Sequence, residues 1–251
     1  MAPARETFRR RFLVTWRDGE RPRGIHSVGY LAFDGQYTFR YLPGAEVAPG
    51  FRPFPGFGQL DCTYTATSLF LFFAARVMDA RRPDYDDYVR ALDLPPQPLE
   101  LDVLSRSEGV LKGDRAAVVE EPLVQNDGST QHTFVVRGVR FAAPEPIELE
   151  RRLAGLVTGT PLIARADVNN PVNPDAIQLL NPAGALVGWV PDALVPYVEG
   201  VLAGPDSRIV VQRVNGPELP PHIRLIARLS GRLPIGRPPL PQLEPADLAK
   251  T

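Results

Sequence analysis

The apolar residues of this chain come mostly in short runs that end at Gly, Pro, Asn or Asp. Such runs are typical of β-strands and leave room for only a few helices. Residues 28–33 and 37–42 flank Asp34-Gly35, and this pair favours a type I′ turn, so we predict a β-hairpin there. The other predicted strands are 12–16, 115–120, 134–141, 161–167, 176–180, 185–190, 209–214 and 223–229.

Helical spacing of apolar residues appears in five segments. Residues 65–80 are apolar nearly all round, which predicts a buried helix. Residues 84–92 are amphipathic, and Asp84, Asp86 and Asp87 lie in the first turn, where the helix dipole favours negative charge. The remaining predicted helices are 99–105, 146–157 and 192–203, the last with Pro196 at a position that allows a bend.

A polar, turn-prone stretch at residues 122–131 is the best candidate for a domain boundary. It separates a front module (8–122), β-rich with helices, from a second module (132–232), called the barrel module here after the fold that the resemblance described below implies. The Pro-rich residues 233–251 have few apolar anchors and are predicted to form a disordered tail. The expected fold class is therefore α+β.

The charge balance limits what the chain can bind. The chain carries 28 basic and 29 acidic residues, and the barrel module has 10 arginines, no lysine and 9 acidic residues. A protein that follows many phosphates along a duplex needs a strong basic surplus. Any contact with nucleic acid should therefore be a small pocket with a few arginines.

The composition gives no indication of a metal, a cofactor or a disulfide. Cys62 is the single cysteine, which fits a reducing compartment, and its apolar neighbourhood favours packing over a nucleophilic role. The three histidines are far apart, so no zinc site can be written. The sequence has no long apolar run and no secretory signal pattern, which predicts a cytoplasmic protein without a membrane span.

Three motifs follow one another in the barrel module. They are Gly138-Val139-Arg140-Phe141, Asn170-Pro171-Val172-Asn173-Pro174-Asp175-Ala176-Ile177 and Val187-Gly188-Trp189-Val190-Pro191. In this order they resemble the HIRAN domain, over roughly a hundred residues. The resemblance implies a small β-barrel of OB or SH3 character with one or two helices. It also implies binding of single-stranded DNA, in the best-understood case at a 3′ end.

Four site residues are carried over from this resemblance. Arg140 would contact a backbone phosphate, and Phe141 and Trp189 would stack on bases. Asn173 stands where the family has the aspartate that receives the terminal 3′-hydroxyl, so it could still hydrogen-bond a hydroxyl without a carboxylate charge. For Phe141 and Trp189 the alternative is burial in the core, the more common fate of strand aromatics.

Two departures from the family pattern reduce this expectation. Val172 replaces the pocket tyrosine and cannot stack on a base. Ala142 replaces a second aromatic residue. End-specific binding is therefore less well indicated than binding of a single strand in general.

The front module has a second resemblance. Its patterns Leu13-Val14-Thr15-Trp16, Val28-Gly29-Tyr30-Leu31, Tyr37-Thr38-Phe39-Arg40-Tyr41 and Ser68-Leu69-Phe70-Leu71-Phe72-Phe73 are similar to the β-rich N-terminal subdomain of HipA-type kinases. The chain lacks a Gly-rich phosphate loop, a His-x-Asp catalytic loop and an Asp-Phe-Gly motif, so no kinase is expected. The resemblance implies a module that contacts a protein.

Two functional hypotheses follow. The first is a non-catalytic adaptor whose barrel holds single-stranded or damaged DNA, with 3′ ends as one option, while the front module recruits a protein partner. The alternative is a scaffold of the HipA toxin–antitoxin kind, in which both modules bind proteins and DNA is not bound. Neither hypothesis includes an enzyme activity.

Overall fold

The computed structural model describes residues 9–19, 24–111 and 113–240, and these form a β-rich α+β fold with two antiparallel sheets, as predicted. The strands are β1 (Arg10–Arg17), β2 (Ile25–Phe33), β3 (Tyr37–Tyr41), β4 (Thr63–Ala66), β5 (Ala116–Glu120), β6 (Ser129–Val135), β7 (Pro161–Ala166), β8 (Ile177–Leu180), β9 (Leu186–Trp189), β10 (Arg208–Val214) and β11 (Leu225–Arg232). The α-helices are α1 (Leu71–Ala74), α2 (Tyr85–Ala91), α3 (Glu100–Ser107), α4 (Pro146–Ala154) and α5 (Val195–Leu202).

The front sheet has the strand order β4-β3-β2-β1-β5 and contains the predicted hairpin between β2 and β3. Its turn is not type I′, which needs two positive φ angles, because among the loop residues only Gly35 has a positive φ, of 103°. Phe33 pairs with Tyr37, and their rings lie 4.7 Å apart. This cross-strand aromatic pair fixes the register and leaves three residues in the loop.

The core of the front module is built mainly from aromatic rings. Phe39 on β3 is fully buried and lies 4.4 Å from the Phe57 ring and 5.4 Å from the Phe73 ring. Residues 43–60 form a loop that is irregular apart from one 3₁₀ turn at Ala45–Val47. This loop covers the sheet, because it places Phe54 and Phe57 in the core.

The predicted helix at residues 65–80 is wrong. Its first residues belong to β4, which pairs with β3, and only α1 in the middle is helical. Phe73 is fully buried but Leu71 is 85% exposed, so the segment is not buried on all sides, as a helix that is apolar all round would have to be. Ring packing around Phe39 and strand pairing together outweigh the local helical preference.

The barrel sheet has the order β6-β11-β10-β7-β8-β9 and is curled into a half-barrel. Just after β6, Arg137 forms an isolated antiparallel bridge with Trp189 on β9. The bridge has two backbone hydrogen bonds, one from each N–H to the other residue's carbonyl, both 2.8 Å long. This contact links the first and the last strand of the sheet.

The predicted strand at residues 134–141 ends early. β6 stops at Val135, and after the Arg137 bridge Gly138 takes a left-handed φ of 66°. A 3₁₀ turn over Val139–Phe141 follows. Glycine is required at this bend, because a Cβ at position 138 would lie 2.6 Å from the Trp189 ring.

The predicted helix at residues 192–203 is divided into a 3₁₀ turn, Asp192–Leu194, and α5. Pro196 is in the first turn of α5, so it starts the helix and does not bend it. In the described residues, no helix is long and apolar enough to cross a lipid bilayer.

The two modules share one core. Leu13, Tyr30 and Val119 of the front module pack in the same apolar cluster as Phe134 and Leu229 of the barrel sheet. The predicted boundary at 122–131 also overlaps the start of β6. The chain therefore passes from one module to the other without a free linker.

The predicted disordered tail is wrong for residues 233–240. Leu233 and Leu240 are buried in the barrel core, and the Leu233 N–H donates to the Gly128 carbonyl at 2.9 Å. These two leucines are the apolar anchors that the prediction undervalued. Residues 241–251 lie outside the described residues.

Candidate nucleic-acid interface

Arg140 and Phe141 lie together on the 3₁₀ turn that follows Gly138. The Phe141 ring is 66% exposed, and the Arg140 guanidinium carbon lies 4.4 Å from its centroid. The structure assigns Arg140 no ion pair with the described residues, so this cation–π contact leaves its hydrogen-bond donors available. The two residues were expected on adjacent faces of a strand; instead the turn stacks them on each other.

Trp189 lies at the end of β9, next to this turn. Its indole Nε1 donates to Asp167 Oδ2 at 2.7 Å, and the same oxygen accepts from Asn170 Nδ2 at 2.9 Å. The Gly138 backbone lies against one face of the ring. Trp189 is therefore half-buried and fixed in orientation, with one face occupied by the protein.

Asn173 does not join the other three residues through any side-chain hydrogen bond in the described residues. Its Nδ2 donates to Asp192 Oδ1 at 2.7 Å, and its Oδ1 accepts the Asp175 N–H at 3.0 Å. It lines a different cavity, of about 310 Å³, between the barrel and Ile25 of the front module. Both polar atoms of the side chain are thus used within the protein.

The loop that carries Asn173 is held by its own side chains. Asn170 Oδ1 accepts the N–H groups of Val172 and Asn173 at 2.9 and 3.1 Å. These are the local turns that asparagine commonly forms. The Asn-Pro motif therefore has a structural explanation as well as the functional one that the resemblance implies.

The sequence did not single out Glu108, which supports the site from the front module. Glu108 caps the C-terminal end of α3 and forms a salt bridge with Arg137, the residue that bridges to Trp189. Its side chain is 8% exposed, and its Oε1 is buried without a hydrogen bond to the described residues. Since a buried carboxylate has lost its hydration, it depends on the Arg137 charge. Only the fold brings the two residues together.

We expect Glu108→Ala to lower the free energy of unfolding by about 2 kcal/mol. The loss should be smaller than for a fully buried pair, because 23% of the Arg137 side chain reaches solvent. Urea unfolding followed by circular dichroism measures it. The control is Asp87→Ala, which breaks an exposed pair with Arg90 on α2 and should cost less than about 0.5 kcal/mol. Equal losses in both variants would contradict a supporting role for Glu108.

The described residues contain no group of three or more His, Cys, Asp or Glu side chains that could hold a metal ion. The Cys62 thiol donates to Gln59 Oε1 at 2.8 Å and has no histidine among its hydrogen-bond partners there.

The fold desolvates the ring of His132. Burial lowers the pKa of His132 to about 4, so its ring is uncharged near neutral pH. His132 lies beside the ring of Tyr197 in the barrel core, with ring centroids 6.1 Å apart. It is a packing residue in this fold.

Phe141, exposed to solvent, and the Arg140 guanidinium above its ring lie on a turn whose first residue, Gly138, rests against the anchored Trp189 indole. We call these three side chains the stacking platform. The platform is chemically suited to an unpaired base and a neighbouring phosphate. Comparisons with protein-family models, with curated proteins and with solved structures found no match to this chain.

Proposed function

We propose that this chain is a non-catalytic, nucleic-acid-binding adaptor whose barrel holds single-stranded DNA and whose front module contacts a protein partner. The observation that carries the proposal is the Phe141 ring, exposed to solvent beneath the Arg140 guanidinium. An apolar side chain of this size is normally buried, and Phe141 is 66% exposed, so a ligand that stacks on its ring would bury apolar surface that the fold leaves in water.

The chemistry of the platform favours a single strand over a duplex. A base must be unstacked to lie on Phe141, and stacking on an aromatic side chain contributes about 1–3 kcal/mol per base without sequence preference. The guanidinium of Arg140 covers one face of the Phe141 ring, so a base would stack on the other face, and Arg140 would pair with a phosphate beside that base. The near-neutral barrel module supports a short contact of this kind over extensive tracking of a duplex.

We expect no strong preference for a 3′ end. The family resemblance gives Asn173 the position of the residue that receives the terminal hydroxyl. Both polar atoms of Asn173 already bind Asp192 and Asp175, so a hydroxyl would have to displace a hydrogen bond. The proposal therefore concerns single strands in general, including those at damaged sites.

The front module offers an edge for a protein partner. β4 is the outer strand of its sheet, and among the residues that the structure describes it pairs on one side only, with β3. Thr63 and Thr65 are exposed along it. An unpaired strand edge accepts an extended segment of another protein through backbone hydrogen bonds.

We expect Phe141→Ala to weaken binding of a labelled single-stranded oligonucleotide by about 5- to 150-fold, the loss of one stacked base. Arg140→Ala should weaken it as well, and blocking the 3′ end should change little. Fluorescence anisotropy at fixed, modest salt measures these affinities. Leu71→Ala and Arg52→Ala are the controls, because both residues are exposed on the front module, away from the platform.

Two results would overturn the proposal. One is binding by the unmodified chain no tighter than millimolar. The other is tight binding that neither Phe141→Ala nor Arg140→Ala changes, with both variants folded by circular dichroism. In either case the scaffold hypothesis, in which both modules bind proteins only, would take its place.

A further inference from the structure

The charges of the barrel sheet are distributed unevenly. Its six strands contain five arginines and no aspartate or glutamate, within the described residues. The nine acidic residues of the barrel module all lie in its helices, turns and loops. A module that is nearly neutral as a whole therefore has a sheet that is purely basic.

Three of these arginines lie together on the outward surface of β10 and β11. Arg208 on β10 is directly opposite Ser230 on β11, and Arg228 and Arg232 stand two residues to either side of Ser230. Residues two apart on a strand share a face, so the three arginines lie on one face of the sheet, on either side of and opposite Ser230. We call this surface the basic face; it also includes Thr133 and Gln131 on β6, which are opposite Arg228 and Ser230.

The charges of the basic face are largely uncompensated. Arg228 has no hydrogen bond or ion pair with the described residues, and Arg208 donates only to the Ser230 hydroxyl, at 3.3 Å. Arg232 lies 3.5 Å from Asp127, but both side chains are more than half exposed, and such pairs contribute little. Asp206, in the turn before β10, is the other carboxylate nearby in sequence and makes no ion pair with Arg208.

We propose that the basic face is a second binding site, for the phosphate backbone of a single nucleic-acid strand. Guanidinium forks bind phosphate oxygens in pairs, and the hydroxyl and amide groups between them are the usual partners of phosphate and sugar. Arg228 and Arg232 stand about 13 Å apart along β11, a length over which a strand presents several phosphates. The proposal takes its ligand, single-stranded DNA, from the proposed function.

Two other acidic ligands fit less well. A lipid surface would be met by apolar side chains that insert between the headgroups, whereas the basic face presents serine, threonine, glutamine and arginine. An acidic protein would supply carboxylates at fixed positions for the arginines. It would leave the uncharged polar groups of Ser230, Thr133 and Gln131 without a hydrogen-bond partner. A flexible nucleic-acid strand has a phosphate on every nucleotide for the arginines and sugar oxygens for the uncharged polar groups, so it matches both kinds of side chain.

The salt dependence of binding tests this site. For single strands the slope of log affinity against log salt changes by about 0.7 for each phosphate contact. We expect the triple variant Arg208→Ala, Arg228→Ala, Arg232→Ala to lose about 2 from the slope measured with a labelled oligonucleotide. The triple Arg→Lys variant keeps the charges and should retain the slope. Arg52→Ala, on the front module, should leave the slope unchanged.

Phe141→Ala separates the failure of this proposal from the failure of the proposed function. It should weaken binding at every salt concentration without altering the slope, because an uncharged ring releases no counterions. If Phe141→Ala acts as expected and the triple alanine variant keeps its slope, the basic face is overturned and the platform stands. If the triple alanine variant loses its slope and Phe141→Ala leaves the affinity unchanged, the basic face stands and the platform fails.

Vesicles of phosphatidylserine and phosphatidylcholine provide the last arm. The triple alanine variant and the unmodified chain should bind these vesicles with the same affinity. Loss of vesicle binding in that variant with no change in the DNA slope would assign the basic face to lipid and overturn the proposal. Thermal unfolding establishes that each variant is folded before its slope is read.

Discussion

Phe39→Ala is expected to lower the free energy of unfolding by about 4 kcal/mol, in the range for a buried Phe replaced by Ala. Phe39 is fully buried at the centre of the front module, and its ring lies 4.4 Å from Phe57 and 4.9 Å from Tyr41. Removing the ring leaves a cavity and ends several edge-to-face and tilted ring contacts. The neighbouring rings sit on a sheet and on the loop at 43–60, so they can close the cavity only in part.

Urea unfolding followed by circular dichroism measures the effect, and Phe141→Ala provides the matched control. The same atoms are removed there from an exposed ring, so the loss should stay within about 0.5 kcal/mol. A loss below about 1.5 kcal/mol for Phe39→Ala would mean that the loop closes over the cavity and that the aromatic core is less tightly packed than its geometry indicates.

Short-range patterns predicted most of the sheet strands. The hairpin of β2 and β3 followed from two apolar runs and an Asp-Gly pair, and its exact turn type was missed because the Phe33–Tyr37 pair sets the register. Strands such as β5 and β7 begin and end within a residue or so of the predicted limits. In these segments local preference and tertiary packing agree, so the sequence is informative.

The segment at 65–80 is where local and long-range preferences disagree. Its apolar residues suit a buried helix, but Phe54 and Phe57, distant in sequence, provide ring partners that draw Phe72 and Phe73 to different positions. Thr63 and Thr65 favour a strand, and β3 is available to pair with them. The ring partners Phe54 and Phe57 and the strand partner β3 all lie outside residues 65–80, so the local sequence of this segment could not predict its structure.

The sequence singled out Arg140, Phe141 and Trp189, which the fold brings near one another, but it also grouped Asn173 with them and gave no indication of the geometry. Gly138, in the middle of an apolar run, was a visible signal that the strand would bend before Arg140. The hydrogen bond from Trp189 to Asp167 and the salt bridge from Arg137 to Glu108 join residues 22 and 29 positions apart. Such pairs depend on how the sheet curls and how the modules dock, which propensities do not encode.

These contacts form one connected set from the front module to the platform. Glu108 holds Arg137, Arg137 pairs with Trp189, and the Trp189 ring supports the Gly138 bend that presents Phe141. The set depends on close approach of the backbone at the bridge. The residue next to Trp189, Gly188, is where this approach is tightest.

Gly188→Ala should lower the free energy of unfolding by about 4 kcal/mol, from backbone strain and overpacking together. Gly188 has a φ of 148°, and an added Cβ would lie 2.5 Å from a Val136 methyl group and 2.7 Å from the Arg137 carbonyl oxygen. The backbone oxygen cannot move without breaking the Arg137–Trp189 bridge. The platform should be lost with it, so single-strand binding should weaken at least as much as in Phe141→Ala.

Gly184→Ala separates the clash from the backbone preference alone. Gly184 also has a positive φ, of 80°, but an added Cβ there would meet nothing within 4 Å. It should therefore cost only about 1 kcal/mol, the price of a left-handed alanine. Urea unfolding and anisotropy on both variants give the comparison. Equal stability losses in the two variants would show that the clash at Gly188 adds nothing to the backbone strain. Full DNA binding by Gly188→Ala would show that the Arg137–Trp189 bridge does not hold the platform, because Phe141 would then keep its place without the bridge.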